Sequence, residues 1–487
     1  MLFSSVTFLF YFLPVLLGLY FLTPGKLKNA LLLVASLVFY TWGEPSSFWV
    51  LPLSVVVNYI AAFFVSPTST GDNNKDNTSR RKWVLGIAVV LNLALLAGYK
   101  YVAFVISNWN ELAMAAEWKT FTVPPTHLPL GISFFTFQAI SYVVDVYRGT
   151  TQVQRRFVDY ALYACLFPHL LAGPIVRYAD LARELSSRSH AAGVFASGVR
   201  RFIIGLAKKV LVANPIAVFV DEQFALPSHD ISVGVAWMAV IGYGLQIYCD
   251  FSAYSDMAIG LGRMFGFHFM ENFNQPYHAR SMRDFWRRWH ISLSSWFRDY
   301  VYIPLGGSRH GPVRELFALV SVFLLCGLWH GANWTFVLWG LWHGVLLLCE
   351  RLGMENLLPR LWRPLQHVYL LLAVSLGWVL FRCQSVTQAV AHMKAMCGLG
   401  PVEHPPVDLI LFMTPQHLIS LAAGVLVAIS PVALLQRWIQ QRQSLSGSPL
   451  SQFAFQSGEL AGLAALFLLS VTHLAATSYN PFIYFRF

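Results

Sequence analysis

The sequence predicts an all-α protein that crosses a membrane many times, and three observations support this: composition, long apolar runs and the placement of basic residues. Hydrophobic residues make up 56% of the 487 residues and charged residues only 12%. Soluble globular domains carry about 25% charged residues. Because a surface so poor in charge suits lipid better than water, we expect an integral membrane protein.

Apolar runs follow one another along the whole chain, and a helix needs about 20 apolar residues to cross the bilayer. Several runs are too short to span and are expected to be re-entrant or covered by neighbouring helices. We predict roughly 11 to 13 membrane helices, with further re-entrant or interfacial helices. The runs are residues 6–22, 30–42, 48–65, 84–106, 128–146, 160–175, 202–220, 231–267, 316–328, 334–352, 368–381, 417–435 and 460–473.

Basic residues between the runs predict the orientation. No positive residue precedes the first run, and Lys26 and Lys28 follow it, which is the reverse of a secretory signal. Other basic loops contain Arg155, and Arg437 with Arg442. Because cytoplasmic loops are enriched in lysine and arginine, we expect these loops in the cytoplasm and both chain termini outside it.

Charge and cysteine spacing argue against two other classes of protein. The net charge of +11 is dispersed in short loops, so topology and anionic lipid headgroups account for it better than nucleic acid does. The six cysteines show no C-x-x-C or metal-finger spacing. We therefore expect no nucleic-acid partner, no disulfide framework and no metal site.

The chain has no linker long enough to separate two folded domains, so we predict one membrane-embedded domain over residues 1–487. Residues 66–82 form a polar loop. Residues 384–415 interrupt the apolar runs, and VTQAVAHMKAMCG within them has the spacing of an amphipathic helix that ends at Gly398. This helix is expected at the outer surface, where it could meet a partner.

Residues 281–302 are too charged to cross the membrane and too aromatic for a solvated loop, and they predict a helix at the membrane interface or entering from the cytoplasm. One interpretation is an anchor for anionic lipid. The other is recognition of a phosphorylated donor, for which guanidinium groups are suited; Arg287 and Arg288 are the leading candidates. The segment contains Arg283, Arg287, Arg288 and Arg298 among Phe285, Trp286, Trp289, Trp296 and Phe297.

His330 is the leading candidate for catalysis. It lies in Gly-Leu-Trp-His-Gly between two apolar runs, where the glycines allow close approach and Trp329 provides an apolar wall. An imidazole in this setting can take a proton from a hydroxyl near neutral pH, as acyl transfer requires. A buried histidine bonded to a carbonyl would have the same pattern. Cys326 shares a helix face with His330 and could be either a nucleophile or a packing residue.

Other polar residues in the same part of the chain have two interpretations each. His290 follows the arginine-tryptophan cluster, and spacing alone does not place it near His330. His343 lies in a second Leu-Trp-His-Gly. Asp250 and Asp256 could orient a histidine or an arginine, or could serve only as polar contacts between helices.

Several long motifs closely resemble the membrane-bound O-acyltransferase family, and within it the bacterial branch that acetylates alginate or cellulose. The core motifs lie within residues 128–350, and the resemblance extends from the opening FSSVTFLFYFLP to the closing NPFIYFRF. The motifs are LPLGISFFTFQAISYVVDVYRG, FPHLLAGPIVR, DFSAYSDMAIGLGRMFGF, NFNQPY, FWRRWHISLSSWFRDYVYIPLGG and GLWHGANWTFVLWGLWHG.

The resemblance implies a helical bundle around a transmembrane tunnel, with His330 as the catalytic histidine and His290 as the second signature polar residue. It also implies that Cys326 is a packing residue. The residues expected to bind substrate are Asp250, Asp256, Arg287, Arg288, Trp329 and Asn333. The resemblance implies no bound cofactor.

The implied activity is passage of an acetyl group from cytoplasmic acetyl-CoA across a bacterial inner membrane, for O-acetylation of a secreted exopolysaccharide through an extracytoplasmic acetyltransferase partner. Two alternative functions fit the same sequence. One is D-alanyl transfer to teichoic acid from a protein-borne thioester. The other is a transporter or polysaccharide-export scaffold with no chemistry of its own.

Overall fold

The computed structural model describes residues 1–67, 75–125, 127–227, 229–400, 407–429, 449–477 and 479–481. Helices dominate these ranges, and no strand occurs in them. The fold is therefore all-α, as predicted. The chain divides into two compact units: a first unit of Met1–Gly198 with Leu261–Met270, and a second unit of Val199–Gly260 with Glu271–Phe487. A single domain over the whole chain stays a prediction.

The first unit has a core of packed aromatic side chains. Phe3, Phe8, Phe39 and Phe167 are fully buried, with ring centroids 5.1 to 6.2 Å apart. Its helices are α1 (Leu13–Leu22), α2 (Lys28–Gly43), α3 (Val50–Val65), α4 (Lys75–Lys100), α5 (Val102–Ala115), α6 (Ile132–Arg148), α7 (Phe157–Cys165), α8 (Phe167–Leu170) and α9 (Tyr178–Ser186), with a π-helical turn at Phe8–Phe12 before α1.

The remaining helices follow in chain order and carry the candidate site. They are α10 (Ala192–Ala207), α11 (Asn214–Phe224), α12 (Val233–Met264), α13 (Met282–Arg288), α14 (Ile291–Phe297), α15 (Pro312–His330), α16 (Trp334–Cys349), α17 (Glu355–Leu357), α18 (Arg363–Arg382), α19 (Val386–Met396), α20 (Pro415–Ile429) and α21 (Pro449–Ala476). π-Helical turns lie at Lys208–Ala213, Arg298–Tyr302 and Glu350–Met354.

Seven helices in the described ranges are long and apolar enough to cross a membrane, and three shorter apolar helices accompany them. This confirms a multi-pass membrane protein, while the predicted total of 11 to 13 crossings stays a prediction. The predicted run 160–175 is broken after Cys165 into α7 and the four-residue α8, so it is too short to span as one helix. The seven are Thr78–Lys100, Ala192–Phe224, Val233–Met264, Pro312–His330, Trp334–Arg360, Arg363–Arg382 and Gln452–Ala476.

The expectation of one helix over residues 281–302 is wrong. The structure has two short helices, α13 and α14, and then the π-helical turn Arg298–Tyr302. The break is at His290, whose φ of +44° is in the left-handed region that side chains rarely adopt. A continuous right-handed helix cannot pass through such a residue.

The predicted amphipathic helix is confirmed as α19, and Gly398 follows it with a φ of +71°. Its buried residues include Ala389, His392 and Met396. Several expectations lie wholly or partly outside the described residues: part of the polar loop 66–82, the end of the run 417–435, Arg437, Arg442 and most of the closing motif NPFIYFRF.

Candidate active site

Two glycines let α15 and α16 approach backbone to backbone. A Cβ atom on Gly327 would overlap the carbonyl oxygen of Phe336, and one on Gly340 would overlap the carbonyl oxygen of Phe323. Small residues at a helix crossing allow this contact in membrane proteins. Because His330 is the last residue of α15, the crossing holds its backbone close to α16.

His330 lies in an aromatic box and is 5% exposed. The ring centroids of Trp329, Trp339 and Phe381 lie 4.8, 5.0 and 5.0 Å from that of the imidazole, each roughly edge to face. These rings exclude water from most of the histidine, which strengthens hydrogen bonds made there. The setting suits proton transfer to or from a hydroxyl that reaches the imidazole.

His290 is fully buried and occupies the N-cap of α14. Its Nδ1 lies 3.2 Å from Oδ1 of Asn272, and the Asn272 carbonyl accepts the backbone N–H of Ile291 at 2.9 Å. The unusual backbone at His290 is thus held by a hydrogen bond from a distant segment. Burial lowers the pKa of His290 to about 3, so its ring is neutral near neutral pH.

The structure brings the two histidines to one tryptophan, which the sequence alone could not do. The Trp329 ring lies 4.8 Å from His330 and 6.1 Å from His290, measured between centroids. On its other side the His290 ring packs edge to face on Phe251, at 4.7 Å. His290, Trp329 and His330 therefore form one continuous cluster inside the second unit.

Both predicted aspartates on α12 are paired with cations. Asp250 Oδ1 lies 2.7 Å from Lys209 Nζ, with both side chains almost fully buried. Asp256 accepts from Arg201 at 2.9 Å and from Lys208 at 2.5 Å. The two consecutive lysines belong to the π-helical turn Lys208–Ala213. Their charges compensate the carboxylates, and the proposed substrate contact of the aspartates stays a prediction.

An open cavity of about 460 Å³ lies against α13, α14 and α15. Its exposed lining includes Arg283, Arg287 and Arg298, and its buried lining includes Trp286 and Cys326. This volume is in the range of small-molecule sites. Because Cys326 is one helical turn before His330, the inner end of the cavity is close to the aromatic box.

The two arginines singled out from the sequence differ in the structure. Arg287 lines the cavity and has no carboxylate partner among the described residues. Arg288 is outside the lining, and its Nε donates to Asp284 Oδ1 at 2.8 Å, four residues earlier on the same helix. Of the pair, only Arg287 offers an uncompensated positive charge to a ligand in this cavity.

The other predicted residues of the last motif have structural contacts. Asn333 is the N-cap of α16: its side chain accepts from Thr335 N at 3.0 Å and donates to Gln384 O at 2.8 Å. His343 is fully buried and packs on Trp339 with ring centroids 4.8 Å apart. Neither of its ring nitrogens has a hydrogen-bond partner in the described part of the chain.

Two site residues were not predicted as such. Asn272 lies within the motif NFNQPY, which was a usable signal, but nothing local indicates that it bonds His290. Glu350, almost fully buried, accepts the backbone N–H groups of Met282 at 2.6 Å and Arg283 at 3.0 Å. A carboxylate at the first amides of a helix stabilises it, so Glu350 fixes the start of α13, which carries Arg287.

Comparison with known proteins now assigns the class. Residues 154–388 match the model of the membrane-bound O-acyltransferase family. The probable alginate O-acetylase AlgI of Azotobacter vinelandii is 40% identical over 512 residues, covering 100% of both chains. That of Pseudomonas aeruginosa is 38% identical over 534 residues, again covering 100% of both. The peptidoglycan O-acetyltransferase of Helicobacter pylori is 35% identical, covering 82% of this chain and 81% of its own.

Fold, site and comparisons agree on a multi-pass membrane enzyme that transfers acyl groups to oxygen. The chain belongs to the membrane-bound O-acyltransferase family. The histidine cluster and the arginine-lined cavity lie within the matched region.

Proposed function

We propose that this enzyme takes an acetyl group from cytoplasmic acetyl-CoA and passes it across a bacterial inner membrane for O-acetylation of a secreted polysaccharide. The relatives of highest identity named above are acetylases of alginate, and a further one acts on peptidoglycan. The direct acceptor in this proposal is a hydroxyl group of an extracytoplasmic acetyltransferase partner. That partner then acetylates the polymer, which is of the alginate or cellulose type.

The observation that carries the proposal is an open, arginine-lined cavity whose buried lining includes Cys326, one helical turn before His330. In the proposed reaction the acceptor hydroxyl oxygen attacks the acetyl carbonyl carbon, and its proton passes to the imidazole of His330. The new C–O bond forms as the C–S bond breaks. The imidazolium then returns the proton to the departing CoA thiolate, so the histidine is regenerated. No oxidant or reductant is needed.

The arginines of the cavity suit the donor. Acetyl-CoA carries phosphates at one end and the thioester at the other, and guanidinium groups bind phosphate well. In the structure the arginines are exposed while Trp286 and Cys326 are buried, so a donor with its phosphates outside would place its thioester toward His330. Arg283 is also paired with Glu355, and Arg298 with Asp299. Arg287 therefore supplies the main free charge.

The basic loops support the proposed direction of transfer. Lysine and arginine are enriched on the cytoplasmic side, which in this proposal places both termini outside and the arginine-lined cavity inside. His290 positions one of the two substrates beside Trp329. The pairs formed by Asp250 and Asp256 hold α12 in place behind this cluster.

The test uses purified protein in liposomes supplied with acetyl-CoA, with a serine-containing peptide as the probe for the partner's acceptor hydroxyl. Thiol release measures thioester turnover, and mass spectrometry measures acetyl ester. We expect wild-type turnover, and a loss of about 10²- to 10⁴-fold in His330→Ala at equal amounts of folded protein. Cells expressing each protein provide a second measurement, the acetyl content of their polymer.

Three outcomes would overturn the proposal. Turnover of a D-alanyl thioester carried by a protein, with none of acetyl-CoA, would assign the teichoic acid reaction instead. An absence of thioester turnover, in vitro and in cells, would leave a transport or scaffold role. Wild-type acetylation by His330→Ala would remove that histidine from the chemistry.

A further inference from the structure

Asn272 is the centre of a buried hydrogen-bond network that the acyl-transfer scheme does not yet use. Its Oδ1 lies 3.1 Å from the backbone nitrogen of Ser292, 2.9 Å from Ser292 Oγ and 3.2 Å from His290 Nδ1. Its Nδ2 lies 3.3 Å from Ser255 Oγ. Asn272, Ser255, His290 and Ser292 are each at most 2% exposed.

The orientation of the Asn272 amide follows from one contact. The amide oxygen and nitrogen of Asn272 can be told apart, because the backbone N–H of Ser292 can only donate. The side-chain atom that faces it must be the amide oxygen. The amide nitrogen is then on the side of Ser255, whose hydroxyl oxygen can accept from it.

The tautomer of His290 follows in turn. A carbonyl oxygen cannot donate, so the contact between Asn272 Oδ1 and His290 Nδ1 is a hydrogen bond only if Nδ1 carries the proton. With an unprotonated Nδ1, two lone pairs would face each other in a buried site, which is costly. In the neutral ring the proton on Nδ1 leaves the lone pair on Nε2.

We propose that Asn272 is a positioning residue that fixes His290 in the Nδ1–H tautomer, so that Nε2 meets a substrate as a hydrogen-bond acceptor. Nε2 then recognises an N–H or O–H group of a substrate, such as an amide of the pantetheine arm or a hydroxyl. It does not donate to the oxyanion of the acetyl group. The substrate part of this inference rests on the proposed acyl transfer, whereas the tautomer does not.

The backbone supports the assignment. His290 has a φ of +44°, an unfavourable conformation that persists only where its surroundings impose it. Asn272 imposes it twice, through its carbonyl to Ile291 N and through its side chain to Ser292 N. The same residue therefore sets both the turn and the proton position of the imidazole.

The first test measures the tautomer and is independent of activity. Solid-state NMR of the full-length protein with ¹⁵N-labelled histidine distinguishes protonated from unprotonated ring nitrogens. The His290 signal is identified by its loss in His290→Gln. We expect a protonated Nδ1 and an unprotonated Nε2 in wild type. A ring protonated at Nε2 would overturn the inference, whether or not the enzyme transfers acetyl groups.

The second test separates positioning from folding. Asn272→Ala is expected to lower kcat about 10²-fold, with a smaller change in KM, because the histidine is no longer held in one protonation pattern. Asn272→Asp keeps an acceptor for His290 and for Ser292 N, so it should retain Nδ1–H and most of the activity. Thioester turnover per folded molecule is the measurement.

The matched control is Asn92→Ala in the first unit. Asn92 is a buried asparagine whose Nδ2 donates to Asn58 at 2.7 Å, so its loss should reduce stability and leave kcat per folded molecule unchanged. If Asn272→Ala behaves like Asn92→Ala, with an unchanged tautomer and kcat, Asn272 is structural only and the inference fails.

Discussion

The regions that carry His330 and His290 hold their histidines by different means. His330 ends a regular helix, and its position follows from glycine contacts between α15 and α16. His290 occupies a break between two short helices, and its position follows from hydrogen bonds to Asn272, 18 residues earlier. The first is placed by packing between neighbours in sequence, the second by a polar network.

The two histidine sites tolerate different substitutions. A close backbone crossing has no room for an added methyl group. Such a group therefore disrupts the whole contact between the two helices. Loss of one partner from a buried hydrogen-bond network leaves another polar group unsatisfied, which costs about 1 to 3 kcal/mol, and it changes the protonation pattern of the groups that remain. The predictions that follow test this contrast between the two regions and the function of the cavity beside them.

Of the effects that distinguish the two regions, the largest is expected at the helix crossing. Gly340→Ala places a methyl group against the carbonyl oxygen of Phe323, and overpacking of this kind costs about 1 to 3 kcal/mol. We expect less folded protein and a lower kcat, because α15 must shift and carries His330 with it. Thermal unfolding and turnover per folded molecule are the measurements.

Gly344→Ala on the same helix is the control for this substitution. Its added Cβ would lie 3.3 Å from the Phe323 side chain, a contact that a small adjustment relieves. The effect should be clearly smaller. Equal losses in the two variants would show that the close crossing does not control the position of His330.

A moderate effect is expected at the cavity. Arg287→Gln removes its uncompensated charge, so the KM for acetyl-CoA should rise about tenfold, as for loss of one charge-assisted hydrogen bond, while kcat changes less. Arg288→Gln should leave KM near the wild-type value, because Arg288 is paired with Asp284 and is outside the lining. A KM that rises equally in both would favour a general surface charge effect.

A small effect is expected at Cys326. The thiol is buried beside the proposed reaction path, and direct transfer needs no covalent enzyme intermediate. Cys326→Ala should therefore lower kcat by no more than about threefold, a loss that reflects packing. An acetyl-thioester on Cys326, trapped and identified by mass spectrometry, would contradict direct transfer.

An effect on stability, rather than on turnover, is expected in acid. The pKa of His290 is about 3 in the folded protein and about 6.5 when unfolded, so between these values the unfolded state binds one more proton. The contribution of His290 to the free energy of unfolding is therefore lost as pH falls from about 6.5 toward 3. His290→Gln should show a shallower loss of stability in acid than wild type. Parallel curves would contradict a neutral buried ring.

Much of the fold could be predicted because lipid imposes strict rules on local sequence. Apolar length alone identified the helices that end at His330 and begin at Trp334, and Gly398 indicated the end of α19. The number of crossings was harder to predict. The run 160–175 is apolar enough, but its residues are buried within the first unit and form two short helices.

The candidate site was predicted only in part. His330, Trp329 and His290 were each candidates, but only the structure shows that they form one cluster, and Arg287 lines a cavity. The difference between Arg287 and Arg288 was invisible in the sequence, since both are basic neighbours on one short helix. Whether each charge is compensated depends on which side chain a carboxylate reaches.

Apolar runs and long motifs are local properties of the chain, so they established the class of protein and the membrane setting, and they predicted His330 as the central histidine. The tertiary structure was needed to show that His290 contacts Trp329, that the Asn272 side chain meets the His290 ring, and that Glu350 caps α13. These contacts join residues far apart in the chain. They depend on hydrogen-bond directions and on distances that must be correct to a fraction of an ångström. No local pattern of residue types encodes either quantity.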